Sequence, residues 1–171
     1  KTSDVDLVNP EPWLLGEGYK WFGQVNAVAS MERGNTDSDE YDLDFTSSWR
    51  SLDDRYILKG MYERDASSGV RDKNQWRIRG KYDRFSGQDT NNYFGGQLVF
   101  YQDEFADLKL RTTVGPYIGR NFFESSRLSL SGEVGAVYVD ENFDIAEDSD
   151  FLGGNWEVSM TSDIIPKTEF Y

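Results

Sequence analysis

The sequence contains no cysteine and no histidine, which excludes several kinds of site before any motif is considered. Without cysteine there are no disulfide bonds, and without either residue the usual zinc ligand sets cannot form. The Ser-His and Cys-His nucleophile pairs are excluded for the same reason. We therefore expect no catalytic site, no metal centre built on these residues and no disulfide framework.

Basic residues and long apolar runs are also scarce. Lys and Arg total 18 against 31 Asp and Glu, which gives a formal net charge of −13. A protein that binds nucleic acid needs a basic face to neutralise phosphates, so nucleic acid is not an expected partner. No run of about 18 apolar residues is present, which excludes a transmembrane helix.

Aromatic residues, in contrast, are abundant. They make up 15% of the chain, although the mean hydropathy is only −0.68. Disordered acidic chains are poor in aromatic residues, so this composition indicates a folded protein.

Hydrophobic residues recur with a period of two, which is typical of strands with one apolar and one polar face. Tyr41, Leu43 and Phe45, for example, alternate with Asp42 and Asp44. The pattern predicts an all-β protein. The predicted strands are residues 21–31, 40–50, 54–64, 74–85, 92–102, 108–120, 127–139 and 151–165.

The connections between these segments predict an antiparallel up-and-down meander. Alternate connections fall at opposite ends of such a sheet, and one set is on average longer and more acidic. That set is residues 32–39, 65–73, 103–107 and 140–150, against 51–53, 86–91 and 121–126. Residues 1–20 contain Pro10, Pro12, Gly16 and Gly18 and are predicted to be an irregular lead-in to a single barrel domain over residues 21–171.

Eight antiparallel strands in one meander tend to close into a barrel, because closure removes exposed edges. Two barrels fit: a soluble lipocalin-like barrel with its apolar face around a small apolar ligand, or a transmembrane barrel with that face toward lipid. Charges of opposite sign occupy different strands, which favours pairing across a narrow lumen. The predicted lumen charges are Glu40, Asp42, Asp44, Arg77, Arg79, Lys81, Lys109, Arg111, Glu133 and Glu157.

The apolar face favours the membrane barrel. Its large aromatic residues cluster near the strand ends, with small and aliphatic residues between them, as in the aromatic girdles at membrane interfaces. In the soluble alternative Trp76, Trp156 and Phe45 would instead point inward. The predicted girdle residues are Trp21, Tyr41, Trp49, Tyr56, Tyr62, Trp76, Tyr82, Phe94, Phe100, Tyr117, Tyr138 and Phe151.

Several short motifs resemble a known family. They are Trp21-Phe22-Gly23, the Gly34-Asn35-Thr36 loop, Lys81-Tyr82-Asp83-Arg84-Phe85, Val114-Gly115-Pro116-Tyr117-Ile118-Gly119 and the strand that begins at Leu128. From Trp21 to its end the chain resembles the YdiY-like, salt-induced outer-membrane proteins. The resemblance implies a bacterial outer-membrane barrel exported by a signal peptide, with lipid as its partner and no cofactor. It also implies a structural role in the envelope or in salt stress, and allows a narrow ion-permeable pore.

The resemblance carries over no catalytic residues, because the family has none established. The outer-membrane barrel enzymes rely on histidine, which this sequence lacks. The C-terminus departs from the pattern of a final barrel strand, since Tyr171 shares its face with Lys167 and Glu169. We therefore expect a truncated barrel, whose even strand number is ten or more in the complete protein.

The acidic loops offer one further candidate, a divalent-cation site. Asp140, Asn142 and Asp144 are spaced as an EF-hand loop begins, but Ile145 stands in place of the required glycine. Asn35, Asp37 and Asp39 have a similar spacing, and we expect both segments to be solvated loops.

Overall fold

One eight-stranded antiparallel sheet forms the protein in a computed structural model that describes residues 11–35, 37–86, 89–125 and 128–162. Two short 3-10 turns, Pro12–Leu15 and Glu104–Ala106, accompany it. Within these ranges no helix is long and apolar enough to cross a membrane. The strands are β1 (Lys20–Glu32), β2 (Ser38–Arg50), β3 (Asp54–Ser67), β4 (Val70–Ser86), β5 (Asp89–Asp103), β6 (Leu108–Glu124), β7 (Leu128–Phe143) and β8 (Ser149–Ser162).

The strand order follows the chain, from β1 to β8, with every neighbouring pair antiparallel. This confirms the predicted up-and-down all-β fold, and each predicted segment overlaps one strand. Within the described residues β1 and β8 do not pair with each other, so the sheet is open and the expected closure by eight strands is not observed. Three predicted features lie outside the described residues: the lead-in at 1–10, the last part of the eighth segment at 163–165, and the charged terminus at 167–171.

The connection predicted at 65–73 is much shorter in the structure. β3 and β4 continue through this region to a turn at Ser68 and Gly69, whose φ angles are 51° and 79°. Positive φ at both central residues is the geometry of a two-residue hairpin turn that matches the twist of the strands. The register of the β3–β4 pair shifts between Asp65 and Ala66. The irregularity at this position is therefore a β-bulge within the hairpin and not a long loop. The predicted bounds of this connection are therefore wrong, whereas the set to which it belongs is still the longer one on average by the bounds of the strands.

The sheet curls around its polar face. Arg79 of β4 forms a salt bridge at 2.6 Å to Glu157 of β8, although three strands separate them. Lys81 of β4 likewise pairs with Glu133 of β7. Side chains from such distant strands can meet only across a concave interior, so the charged face is the inner one.

The apolar face is convex and open to the surroundings. Leu43, Ile78 and Val134, at mid-strand positions, expose 42%, 41% and 57% of their surface. Trp156 on β8 exposes 78%, so it does not point inward as a soluble ligand-binding barrel requires. That alternative is wrong about which face encloses the interior.

Candidate functional site

The concave interior is the candidate functional site, and its most buried charge is Asp83. This carboxylate has no exposed surface. Arg55 of the neighbouring strand donates to Asp83 Oδ2 from Nε at 2.7 Å and from Nη2 at 2.6 Å. The Tyr117 hydroxyl donates to the other oxygen, Oδ1. A buried carboxylate is tolerated when a cation and further donors satisfy it, and this one has both.

Two glycines on the same face make room for the tyrosines of this interior. Gly119 of β6 lies opposite Tyr93 of β5, and Gly95 of β5 lies opposite Tyr117 of β6. A Cβ atom at Gly119 would come within 2.4 Å of the Tyr93 ring, and one at Gly95 within 2.7 Å of the Tyr117 ring. Each aromatic ring therefore lies over a glycine on the neighbouring strand, which any larger residue would obstruct.

A second ion pair lies beside this cluster. Lys81 Nζ donates to Glu133 Oε2, and the two side chains expose only 6% and 7% of their surface. The Tyr93 hydroxyl donates to Glu133 Oε1 at 2.9 Å, and Lys81 Nζ lies 4.5 Å from the centre of the Tyr117 ring. The two carboxylates, Asp83 and Glu133, are thus each shared between a cation and a tyrosine.

A third group of side chains in the interior is less buried than the Asp83 cluster and the Lys81–Glu133 pair. Arg79 Nη2 donates to Glu157 at 2.6 Å and to Gln97 Oε1 at 2.9 Å. Lys81 lies 3.9 Å from the same glutamate, which links this group to the Lys81–Glu133 pair. Together these groups fill the interior toward the turn at residues 51–53.

The other half of the interior is lined by basic side chains around Tyr101. Arg77 lies over the Tyr101 ring at 4.7 Å, and Arg111 lies 5.9 Å from the same ring. Arg111 is neutralised by Glu141, at 2.6 Å from Nε and 2.5 Å from Nη2. Two cavities of about 240 Å³ each adjoin these side chains.

Six of the ten predicted lumen charges take part in the ion pairs and ring contacts of this interior. They are Arg77, Arg79, Lys81, Arg111, Glu133 and Glu157. Lys109 does not join them, since it lies at a register shift between Leu108 and Leu110, is exposed and makes no salt bridge within the described residues.

The predicted acidic row on β2 is more exposed. Carboxylate oxygens of Glu40, Asp42 and Asp65 lie within 4.8 Å of one another, and Lys73 faces Asp65 across the β3–β4 pair. Asp44 is exposed and lines one of the two cavities. Glu40 and Asp42 therefore lie toward the β1–β2 connection, and Asp44 lies at mid-strand on the same concave face.

Ten of the predicted girdle residues lie on the convex face. They are Trp21, Tyr41, Trp49, Tyr56, Tyr62, Trp76, Tyr82, Phe94, Phe100 and Tyr138. The prediction of Tyr117 as a girdle residue is wrong, because its side chain is 3% exposed and faces Asp83 in the interior. The prediction of Phe151 is also wrong, because this residue pairs with Val139 and lies with it on the concave face of the sheet. In both regions the two faces of the strand are apolar, so the alternation does not identify the outer one.

The centre of the interior was not predicted from the sequence. It is formed by Arg55, Asp83, Tyr93 and Tyr117. Asp83 stands in the same alternating row as Arg79 and Lys81, and that pattern could have placed it inside. Nothing in the sequence indicates which tyrosine would reach it.

Carboxylates in the loops satisfy backbone groups of the chain. Asp107 Oδ2 accepts hydrogen bonds from the backbone N–H of Ile145 at 3.1 Å and of Ala146 at 3.0 Å. Asp148 Oδ1 accepts one from Phe143 at 2.9 Å. In the loop after β1, the hydrogen bond from Arg33 to Asp39, at 2.7 Å, raises the pKa of the Arg33 guanidinium. These contacts are turn chemistry. The expectation that both candidate cation segments are loops is wrong in part, since Asp140 and Asn142 belong to β7 and Asp39 belongs to β2.

Comparison with known proteins identifies a family. No curated protein and no solved structure matches the sequence. The family described as "Protein of unknown function, DUF481" matches residues 25–171, which include all of β2–β8, and the resemblance to YdiY-like proteins is consistent with it. The chain therefore belongs to the DUF481 family.

Proposed function

We propose that the protein is a non-enzymatic β-barrel of the bacterial outer membrane, with its convex face against lipid. The observation that carries this proposal is a band without charged side chains around the convex face. On β4 that face runs from Trp76 through Ile78 and Gly80 to Tyr82, and the next outward residue is Arg84. Outward charges on the described strands lie only beyond this band, toward the strand ends.

The height of the band fits a bilayer. On β3 the charged residues that flank it on the convex face are Asp54 and Arg64, ten residues apart. At about 3.3 Å per residue the interval is about 33 Å of strand. A strand tilt of about 40° reduces this to about 25 Å, which is the height of the apolar band of outer-membrane barrels.

The exposure of this band in water would be costly. Ile118, Leu152 and Trp156 expose 64%, 81% and 78% of their surface. A continuous apolar surface of this kind marks a site for a partner or a membrane. Lipid covers the whole convex face at once, whereas a single partner would cover only one side of it.

The filled interior supports a structural role. Ion pairs from β4 to β7 and β8 cross it near one end, which leaves little room for a wide channel. A role in the envelope during salt stress agrees with the resemblance. A narrow ion-permeable pore is the second candidate function, and the cavities beside Arg77 favour it.

A quenching experiment with single-tryptophan variants tests the proposal. The chain would be folded into phosphatidylcholine vesicles with Trp156 as the only tryptophan, the others being replaced by phenylalanine. Brominated acyl chains should quench Trp156 strongly and acrylamide weakly. A matched variant in which only Trp13 of the lead-in is kept should respond in the opposite way. A chain that stays monodisperse without detergent and does not enter vesicles would contradict the proposal.

A further inference from the structure

Four basic side chains lie near one another in register on the concave face, and two of them already pair with carboxylates, Arg79 with Glu157 and Arg111 with Glu141. Lys59 pairs in register with Arg79, and one step along the strands Arg77 pairs with Tyr101, which pairs with Arg111. Cations are thus concentrated on one part of the concave face of a chain with a net charge of −13.

Two of these cations retain unused hydrogen-bonding capacity. Arg79 donates to Glu157 and Gln97 through Nη2, but its Nε is buried with no acceptor among the described residues. Arg77 makes no salt bridge to any carboxylate in the described part of the chain. Arg77 therefore keeps guanidinium donors that a ligand can use.

The space in front of these donors is large enough for a ligand. One cavity of about 240 Å³ is lined by Lys59 and Asp44, and the other, of the same volume, by Tyr101 and Arg111. Arg77 and Arg79 line both. Each volume equals that of about eight water molecules, which accommodates a small ion or a carboxylate-bearing solute.

Arg77 is held in place before any ligand binds. Its guanidinium lies 4.7 Å from the centre of the Tyr101 ring. The Tyr101 hydroxyl is itself fixed by hydrogen bonds to Gln75 at 2.9 Å and to Asp103 at 3.1 Å. Stacking on a fixed ring reduces the conformational entropy that an arginine loses on binding.

We propose that Arg77 and Arg79 form a binding site for a small oxyanion in the concave interior. A guanidinium group presents its donors in a fork that matches the oxygens of phosphate, sulfate or a carboxylate. Arg77 offers this fork, and Arg79 and Lys59 supply further positive charge. Asp44, on the wall of the same cavity, opposes binding. The site does not depend on the membrane proposal, because these residues lie on the concave face in either case.

Arginine side-chain NMR on the full chain in detergent micelles tests the site directly. Inorganic phosphate would be titrated at constant ionic strength while the Nε–H signals of Arg77 and Arg79 are followed. Both signals should shift and saturate. Arg77→Gln should weaken binding by about tenfold or more, as expected for a lost charge-assisted hydrogen bond. Asp44→Asn should tighten it.

Two further variants separate the site from general electrostatics and from folding. Arg79→Lys keeps the charge beside Glu157 but removes the guanidinium fork, and it should weaken binding while the far-ultraviolet circular dichroism stays unchanged. Arg64→Gln removes an arginine from the convex face and should leave the titration as in the wild type. The proposal is overturned if the wild-type signals do not saturate, or if Arg77→Gln and Arg64→Gln titrate alike. Vesicle insertion would be unaffected by that result.

Discussion

The hydroxyl group of Tyr117 donates a hydrogen bond to the carboxylate of Asp83, which is entirely buried. The two residues lie on β6 and β4, and β5 runs between them. The tyrosine reaches across because Gly95, the residue opposite it on β5, has no side chain. The contact therefore joins strands that share no backbone hydrogen bonds, and it holds the curvature of the sheet.

Loss of this hydroxyl should destabilise the protein. Tyr117→Phe keeps the ring and removes the donor, so Arg55 is the one hydrogen-bond partner that Asp83 retains among the described residues. Hydrogen bonds to charged groups contribute about 1.5–3 kcal/mol, and we expect a loss in that range. Urea unfolding in detergent micelles measures it. Tyr82→Phe, on the convex face, is the matched control and should change the free energy of unfolding by less than about 0.5 kcal/mol.

The glycine beneath Tyr93 should be replaceable only when that ring is removed. Gly119→Ala places a Cβ atom 2.4 Å from the ring, and the nearest atoms all belong to Tyr93. Overpacking of this kind costs about 1–3 kcal/mol. In a Tyr93→Ala background the same substitution should cost little, because the obstructing ring is absent. A double-mutant cycle from urea unfolding gives the coupling.

Gly95 provides the contrasting case. A Cβ atom there would approach the backbone carbonyl oxygen of Tyr82 at 2.3 Å as well as the ring of Tyr117. Gly95→Ala should therefore remain destabilising in a Tyr117→Ala background. The proposed packing would be contradicted if Gly95→Ala cost no stability in the Tyr117→Ala background. It would also be contradicted if Gly119→Ala cost as much in the Tyr93→Ala background as in the wild type.

The buried ion pair between Lys81 and Glu133 should be far more sensitive than a surface pair. Lys81→Met leaves Glu133 almost fully buried, with the Tyr93 hydroxyl as its one remaining donor in the described part of the chain. Removal of one partner of a buried pair typically costs about 3–5 kcal/mol. Arg71→Met breaks the exposed pair with Glu104 and should cost about 1 kcal/mol or less. Equal losses for the two variants in urea unfolding would contradict the burial of the first pair.

A charge in the middle of the convex band should weaken insertion into lipid. Val134→Lys introduces a cation at a position that is 57% exposed on that face. At the bilayer midplane such a change costs about 2–4 kcal/mol. Reversible unfolding from phosphatidylcholine vesicles measures the loss. Ile145→Lys, in the loop at residues 144–148 and 90% exposed, is the control and should have almost no effect.

The sequence by itself determined the strands and their order. Alternation with a period of two gave eight segments, because a strand places successive side chains on opposite faces. It also separated the charged face from the apolar one in most strands, as in β4, where Arg77, Arg79 and Lys81 alternate with Trp76, Ile78 and Gly80. The local signal failed near residues 65–73, where both faces are polar and alternation does not mark the ends of the strands.

The tertiary structure alone decided which face is concave and which side chains meet inside it. Period and composition are the same whether a sheet curls toward its charged face or away from it. The pairing of Asp83 with Tyr117, and of Arg79 with Glu157, joins residues 34 and 78 positions apart. Such contacts depend on the curvature of the whole sheet, which results from the twist of all its strands together and from the glycines that let the tyrosines reach across.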